Sequence, residues 1–141
     1  VLYEDFTAIT QIKSAIQEKG NIAVTQLTST SQERMEEELL IKEQIDKVVM
    51  HYAENSKLAG LDGVVCSPLE AGKVKEKCGK EFLTITPGVR FETDDVGDQV
   101  RVTTPKKAKE LGSDYIVVGR PITKAENPVE AYRRCVSDFC G

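Results

Sequence analysis

The residues with chemistry to offer sit in four short segments: Thr28-Ser29-Thr30-Ser31, Ser67-Pro68, Pro87-Gly88-Val89-Arg90 and Gly119-Arg120. They supply hydroxyls, glycines and arginines, a set suited to holding an anion. Glycine lets backbone N–H groups come close to an anionic oxygen. The arginine guanidinium presents a planar fork to two phosphate oxygens. Metal and thiol chemistry are poorly provided for. The one histidine, His51, and the four cysteines, Cys66, Cys78, Cys135 and Cys140, make no C-x-x-C pair and no zinc spacing. Cys66 is expected to pack rather than react. No G-x-G-x-x-G or G-x-x-x-x-G-K-[ST] string follows a strand, so the common nucleotide fingerprints are missing.

Each segment follows a short β-branched run, and the runs alternate with helical stretches that end in glycine. Gly20 precedes the run 22–27, Gly60 the run 63–66, Gly79 the run 82–86 and Gly112 the run 115–118. Glycine suits the left-handed residue that closes a helix. Short, nearly all-apolar runs are the mark of a buried parallel sheet. Helix starts are signalled by Ser67-Pro68-Leu69-Glu70 and Asn127-Pro128-Val129-Glu130, each with an N-cap, a proline and a glutamate in order, and by Thr104-Pro105. An opening helix is expected over about 5–18 and a closing one over 128–136. The longest helix is expected from Gln32 or Glu36 to Lys57, with Ile41, Ile45, Val48, Val49 and Tyr52 on one stripe. Glu36-Glu37-Glu38 would then be its acidic first turn.

The order α-β-α-β-α-β-α-β-α predicts an α/β fold with a parallel sheet. In such folds ligands bind at the carboxyl ends of the strands, where the four segments lie. Gly119-Arg120, directly after the last strand, is a candidate anion site, but the pair alone is a weak motif that a surface arginine after a strand also satisfies. Residues 87–101 form a long loop rich in Asp and Gly and a candidate lid. Four strands of a closed barrel leave two bare edges, and a complete (β/α)8 barrel takes about 250 residues. The 141 residues therefore make a small open α/β domain or about half a barrel. Strand edges left unpaired at 22–27 and 115–118 invite pairing with another chain.

Composition narrows the class further. Apolar residues make up 40% and charged residues 30%, as in ordinary globular domains. The net charge of −4 argues against a nucleic-acid surface. No apolar run approaches the roughly 18 residues that span a membrane. The acidic start Val1-Leu2-Tyr3-Glu4-Asp5 offers no signal peptide. Sparse cysteines then fit reduced thiols and a cytoplasmic protein.

Five strings together are far more specific. They are 23–29 (AVTQLTS), 60–67 (GLDGVVCS), 86–90 (TPGVR), 98–101 (DQVR) and 117–123 (VVGRPIT). In order and spacing they closely resemble the bacterial orotidine 5′-monophosphate decarboxylase family, over about residues 20 to 136. The resemblance implies a (β/α)8 barrel that converts orotidine monophosphate to uridine monophosphate and CO2 in pyrimidine biosynthesis, without cofactor or metal, as a homodimer. It places this chain on the C-terminal part of one barrel domain, strands five to eight, with strands one to four outside the chain.

By the same resemblance Thr28 and Ser31 lie beside the pyrimidine ring. Gly119 and Arg120 form the phosphate site, Gln99 belongs to the loop that closes over the phosphate, and Arg90 begins that loop. Ser31 and Thr28 also suit a simpler role as helix N-caps. The family's catalytic string, Asp-x-Lys-x-x-Asp, does not occur in these 141 residues. Lys73, Lys106 and Lys124 all sit outside the matched positions. The chain alone is therefore expected to be inactive. Two other readings are a non-catalytic nucleotide-binding half-barrel and a related barrel acting on a sugar phosphate, which the Thr28–Ser31 loop fits less well.

Overall fold

A computed structural model describes residues 20–92 and 100–141. Four parallel strands run β1 (Ile22–Val24), β2 (Gly63–Val65), β3 (Leu83–Thr86) and β4 (Tyr115–Ile116), adjacent in chain order. Between and after them lie α1 (Gln32–Glu38), α2 (Ile45–Leu58), α3 (Pro68–Cys78), α4 (Pro105–Glu110), α5 (Arg120–Thr123) and α6 (Pro128–Cys140). This is the expected α/β alternation with β1 and β4 at the edges. The opening helix expected over 5–18 lies outside the described residues.

The strands are shorter than their apolar runs, but pairing continues past them. Thr25 N–H donates to Val65 O at 3.1 Å, Cys66 N–H to Ile85 O at 3.2 Å and Val117 N–H to Thr86 O at 3.0 Å. The two faces of the sheet differ. Ala23, Val64 and Cys66 point into a core with Val49 and Ala53 of α2, Val74 and Cys78 of α3, and Phe82. Cys66 thus packs, as expected. The alternate residues Ile22, Val24, Val65, Leu83 and Ile85 are only half-buried, and Tyr115 and Val117 are exposed. A period of two places them all on the face away from α2 and α3. This is the wall of half a (β/α)8 barrel, helices outside and the inner face open. At Gly63 the strands approach so closely that a Cβ would overlap the Leu83 carbonyl oxygen.

All three Pro-marked helix starts form as expected. Ser67 Oγ accepts from Leu69 N–H and the Glu70 carboxylate from Ser67 N–H, a closed capping box. Thr104 Oγ1 accepts from Lys107 N–H and Asn127 Oδ1 from Glu130 N–H, both at 3.2 Å. The closing helix runs four residues further than expected, to Cys140.

The single long helix expected over 32–57 is two. The chain breaks between Glu38 and Ile45, with Leu40 in the left-handed region at φ 58° and 80% exposed. Gln32 holds the break from a distance: its Oε1 accepts from Ile45 N–H at 2.8 Å, and its Nε2 donates to Glu43 O at 3.0 Å. Glu36-Glu37-Glu38 consequently ends α1 instead of starting a helix. Carboxylates oppose the partial negative charge at a helix C-terminus, which helps to stop α1 there. Ile41 falls in the break, and Ala53 and Ser56 join Val48 and Val49 as the buried residues of α2.

Candidate functional site

The carboxyl ends of the strands gather the candidate loops. Residues 100–103, the limb by which the chain returns toward α4, tie three of them together. Val100 and Arg101 N–H both donate to Thr28 O at 3.2 Å. Thr103 N–H donates to Gly88 O at 3.3 Å, and Arg90 N–H to Thr103 O at 3.0 Å. Ser67 Oγ donates to Arg101 O at 3.3 Å. The turn at Pro87-Gly88 needs its glycine. Gly88 has φ 82°, and a Cβ there would lie 3.1 Å from Arg101 O and 3.2 Å from Thr28 Cγ2.

Arg90 and Arg120 line one cavity of about 630 Å3 between the loop after β3 and helices α5 and α6. Arg90 is 8% exposed, and its Nη1 donates to Val89 O at 2.8 Å. Arg120 is half-buried and opens α5 directly after exposed Gly119. Lys124 and Arg134 add two more cations to the lining, against the carboxylates of Glu126 and Glu130. Arg134 stacks its guanidinium 4.1 Å from the centre of the Phe91 ring. The balance of four cations to two carboxylates favours an anionic guest.

The other assignments divide. Thr28 is buried, its methyl group beside Gly88, and does not line that cavity. Ser31 caps α1, its Oγ accepting from Arg34 N–H at 3.2 Å, and does not line it either. Gln99 lies outside the described residues, as does most of the 87–101 loop beyond Glu92. Among the described residues no group of three or more metal-binding side chains occurs. No described helix is long and apolar enough to cross a membrane.

Sequence reasoning gave Glu70 only a capping role, set Lys124 aside and passed over Arg134. Arg134 was within reach of pattern: Asn127, Glu130, Ala131 and Arg134 share one face of α6 at helical spacing. Glu70 was masked by its capping role, because one carboxylate oxygen satisfies the capping box and the other pairs with Arg101.

The model of the orotidine 5′-phosphate decarboxylase / HUMPS family matches residues 2–135. The chain belongs to this family. It is 63% identical over 112 residues to the orotidine 5′-phosphate decarboxylases of Bacillus mycoides and Bacillus cereus, covering 79% of this chain and 47% of each relative. Among solved structures it is similar to the orotidine 5′-phosphate decarboxylase of Lactobacillus acidophilus, with a TM-score of 0.70 and 42% identity over 85% of this chain and 49% of that one. An uncharacterized conserved protein of Geobacillus kaustophilus gives a TM-score of 0.65 and 45% identity over 84% of this chain and 47% of that one. The chain thus spans about half the length of the curated relatives it matches. The family assignment expected from the five strings holds, and so does the half-barrel architecture.

Proposed function

We propose that this chain supplies the phosphate- and pyrimidine-binding loops of an orotidine 5′-phosphate decarboxylase. The observation that carries the reading is the convergence of Arg90 and Arg120, from the loops after β3 and β4, on one cationic cavity at the carboxyl end of the sheet. Arg120 and Gly119 take the phosphate, Arg90 backs them, and Gln99 joins them by its place in the family string. Thr28 shapes the base-binding loop from beneath, and Ser31 serves both the base and the start of α1. The substrate is a small nucleotide; neither nucleic acid nor a membrane is a partner. The complete enzyme is a cytoplasmic homodimer.

The phosphate does not react, yet holding it contributes to the chemical step. Binding energy from a remote group can offset the cost of ordering loops and orienting the reacting ring. Excluding water then strengthens the charge interactions felt by the departing carboxylate. A carbanion left on the ring needs a proton, and the family's lysine for that task lies in the Asp-x-Lys-x-x-Asp string that these 141 residues lack. Lys73 is committed to Asp46, on the helix side of the sheet.

The test has two parts on the 141-residue chain, with its intact mass confirmed. Absorbance of orotidine monophosphate should show no turnover; clear turnover would mean that a residue within the chain donates the proton. Titration with uridine monophosphate should show binding that R120A weakens by about tenfold or more, the contribution of roughly one charged hydrogen bond. Equal affinity in R120A would remove the phosphate assignment.

A further inference from the structure

Glu70 and Arg101 form a buried charge pair that neither the cavity nor the capping box accounts for. Glu70 Oε2 accepts from Ser67 N–H at 2.8 Å, and Glu70 Oε1 pairs with Arg101 Nη1. The two side chains are 3% and 12% exposed. A buried pair is weak as a source of stability, since an apolar replacement of similar volume is often as good. Its distinctive property is direction: a guanidinium fork fixes what lies around it. Here Arg101 Nη2 donates to Leu27 O at 2.8 Å and reaches Gln26 O at 3.4 Å. The Arg101 backbone adds its N–H to Thr28 O and its carbonyl to Ser67 Oγ. One residue of the segment after β3 therefore grips three consecutive carbonyls of the loop after β1, while Glu70 anchors it to the loop after β2.

We infer that Glu70 and Arg101 are positioning residues for base recognition: the pair fixes the carbonyls of residues 26–28 and so sets where Thr28 and the loop running to Ser31 meet a pyrimidine nucleotide. This rests on the nucleotide reading given above. Neither residue lines the cavity of Arg90 and Arg120. The pair should therefore govern affinity for the base much more than affinity for the phosphate.

The experiment is an NMR titration of the 15N-labelled chain, wild type, R101M and E70Q, with uridine monophosphate and separately with ribose 5-phosphate. Spectral dispersion shows in the same measurement whether each variant is folded. R101M should weaken uridine monophosphate by about tenfold and ribose 5-phosphate by less than about twofold, a difference of roughly one hydrogen bond's worth. E70Q keeps an acceptor for Ser67 N–H and should show the same split at smaller size; it decides the matter if R101M does not fold. Equal loss for both ligands, or no loss for either, would make the pair a structural prop and overturn the inference. Unfolding of both variants would overturn it too, by making the pair a requirement of the fold. A wild-type chain that binds neither ligand would instead overturn the nucleotide reading, and this inference with it.

Discussion

Strand β4 is two residues long, yet it carries Gly119-Arg120 only three residues beyond its end. Its position depends on Asp114, which stands just before it. Asp114 Oδ2 accepts from Thr84 N–H at 2.7 Å and from Lys75 Nζ at 2.5 Å. The Thr84 hydroxyl lies 3.0 Å from the same oxygen and 3.2 Å from Gly112 O, so its one proton has an alternative. D114A therefore strands the Thr84 N–H and takes the charge partner from Lys75. Thr84 is fully buried, and an unpaired buried N–H costs about 1–3 kcal/mol. Lys75 is 16% exposed and keeps Lys80 O at 2.7 Å, which limits its loss to about 1 kcal/mol. With Asp114 itself 30% exposed, the expected total is about 2–4 kcal/mol, or a fall in Tm of about 10 °C for a chain of this size. D114N keeps an acceptor for Thr84 but offers Lys75 no charge, and should lose about half as much. The assay is urea unfolding followed by far-UV circular dichroism, since the chain has no tryptophan. The pH dependence has a definite sign. Burial pushes the Asp114 carboxyl up, but the bonds from Lys75 and Thr84 outweigh it and hold it below its ordinary value. A depressed carboxylate stabilises the fold above its unfolded pKa of about 3.9, and that contribution is lost as pH falls through the folded value. The gap between wild type and D114A should be full at pH 6 and shrink below about pH 4. A loss under about 1 kcal/mol at pH 7, or a D114N as damaging as D114A, would refute the reasoning.

Two further outcomes follow from the loops and the thiols. G88A places a Cβ against Arg101 O and Thr28 Cγ2 at a positive φ, and should cost about 1–2 kcal/mol in urea unfolding while also weakening uridine monophosphate; unchanged affinity would mean that Thr28 does not shape the base site. Of the cysteines, exposed Cys140 should react first with iodoacetamide at pH 8, and Cys66 only on unfolding, because burial pushes its thiol up to about 12 against the opposing pull of Arg101. Peptide mass spectrometry reads the order directly, and labelling of Cys66 at the rate of Cys140 would contradict its place in the core.

What the sequence made legible, and what it did not, separates by the range of the interactions involved. The caps at Ser67, Thr104 and Asn127 act within three residues, so the residue types alone announce them. The first three strands declare themselves because one face of the sheet there packs against α2 and α3. The break at 39–44 is the opposite case. Ile41, Ile45, Val48 and Val49 hold helical spacing across it, and no glycine or proline marks it. It exists because Gln32, on the preceding helix, takes Ile45 N–H and donates to Glu43 O. Such a cap has no signature of its own, since glutamine is an ordinary helix residue. The same distinction divides the site. Gly119-Arg120 is legible because both residues act where the chain places them, directly after β4. Glu70 is not, because its second partner, Arg101, lies 31 positions away and is reached only when β2 and β3 pair in register. Register is therefore what converts separate strand-end loops into one site. The parallel pairing Gly63↔Leu83 and Ile85↔Tyr115 brings Ser67, Gly88 and Gly119 to the same end of the sheet. The long-range bonds of Arg101 then set their mutual positions.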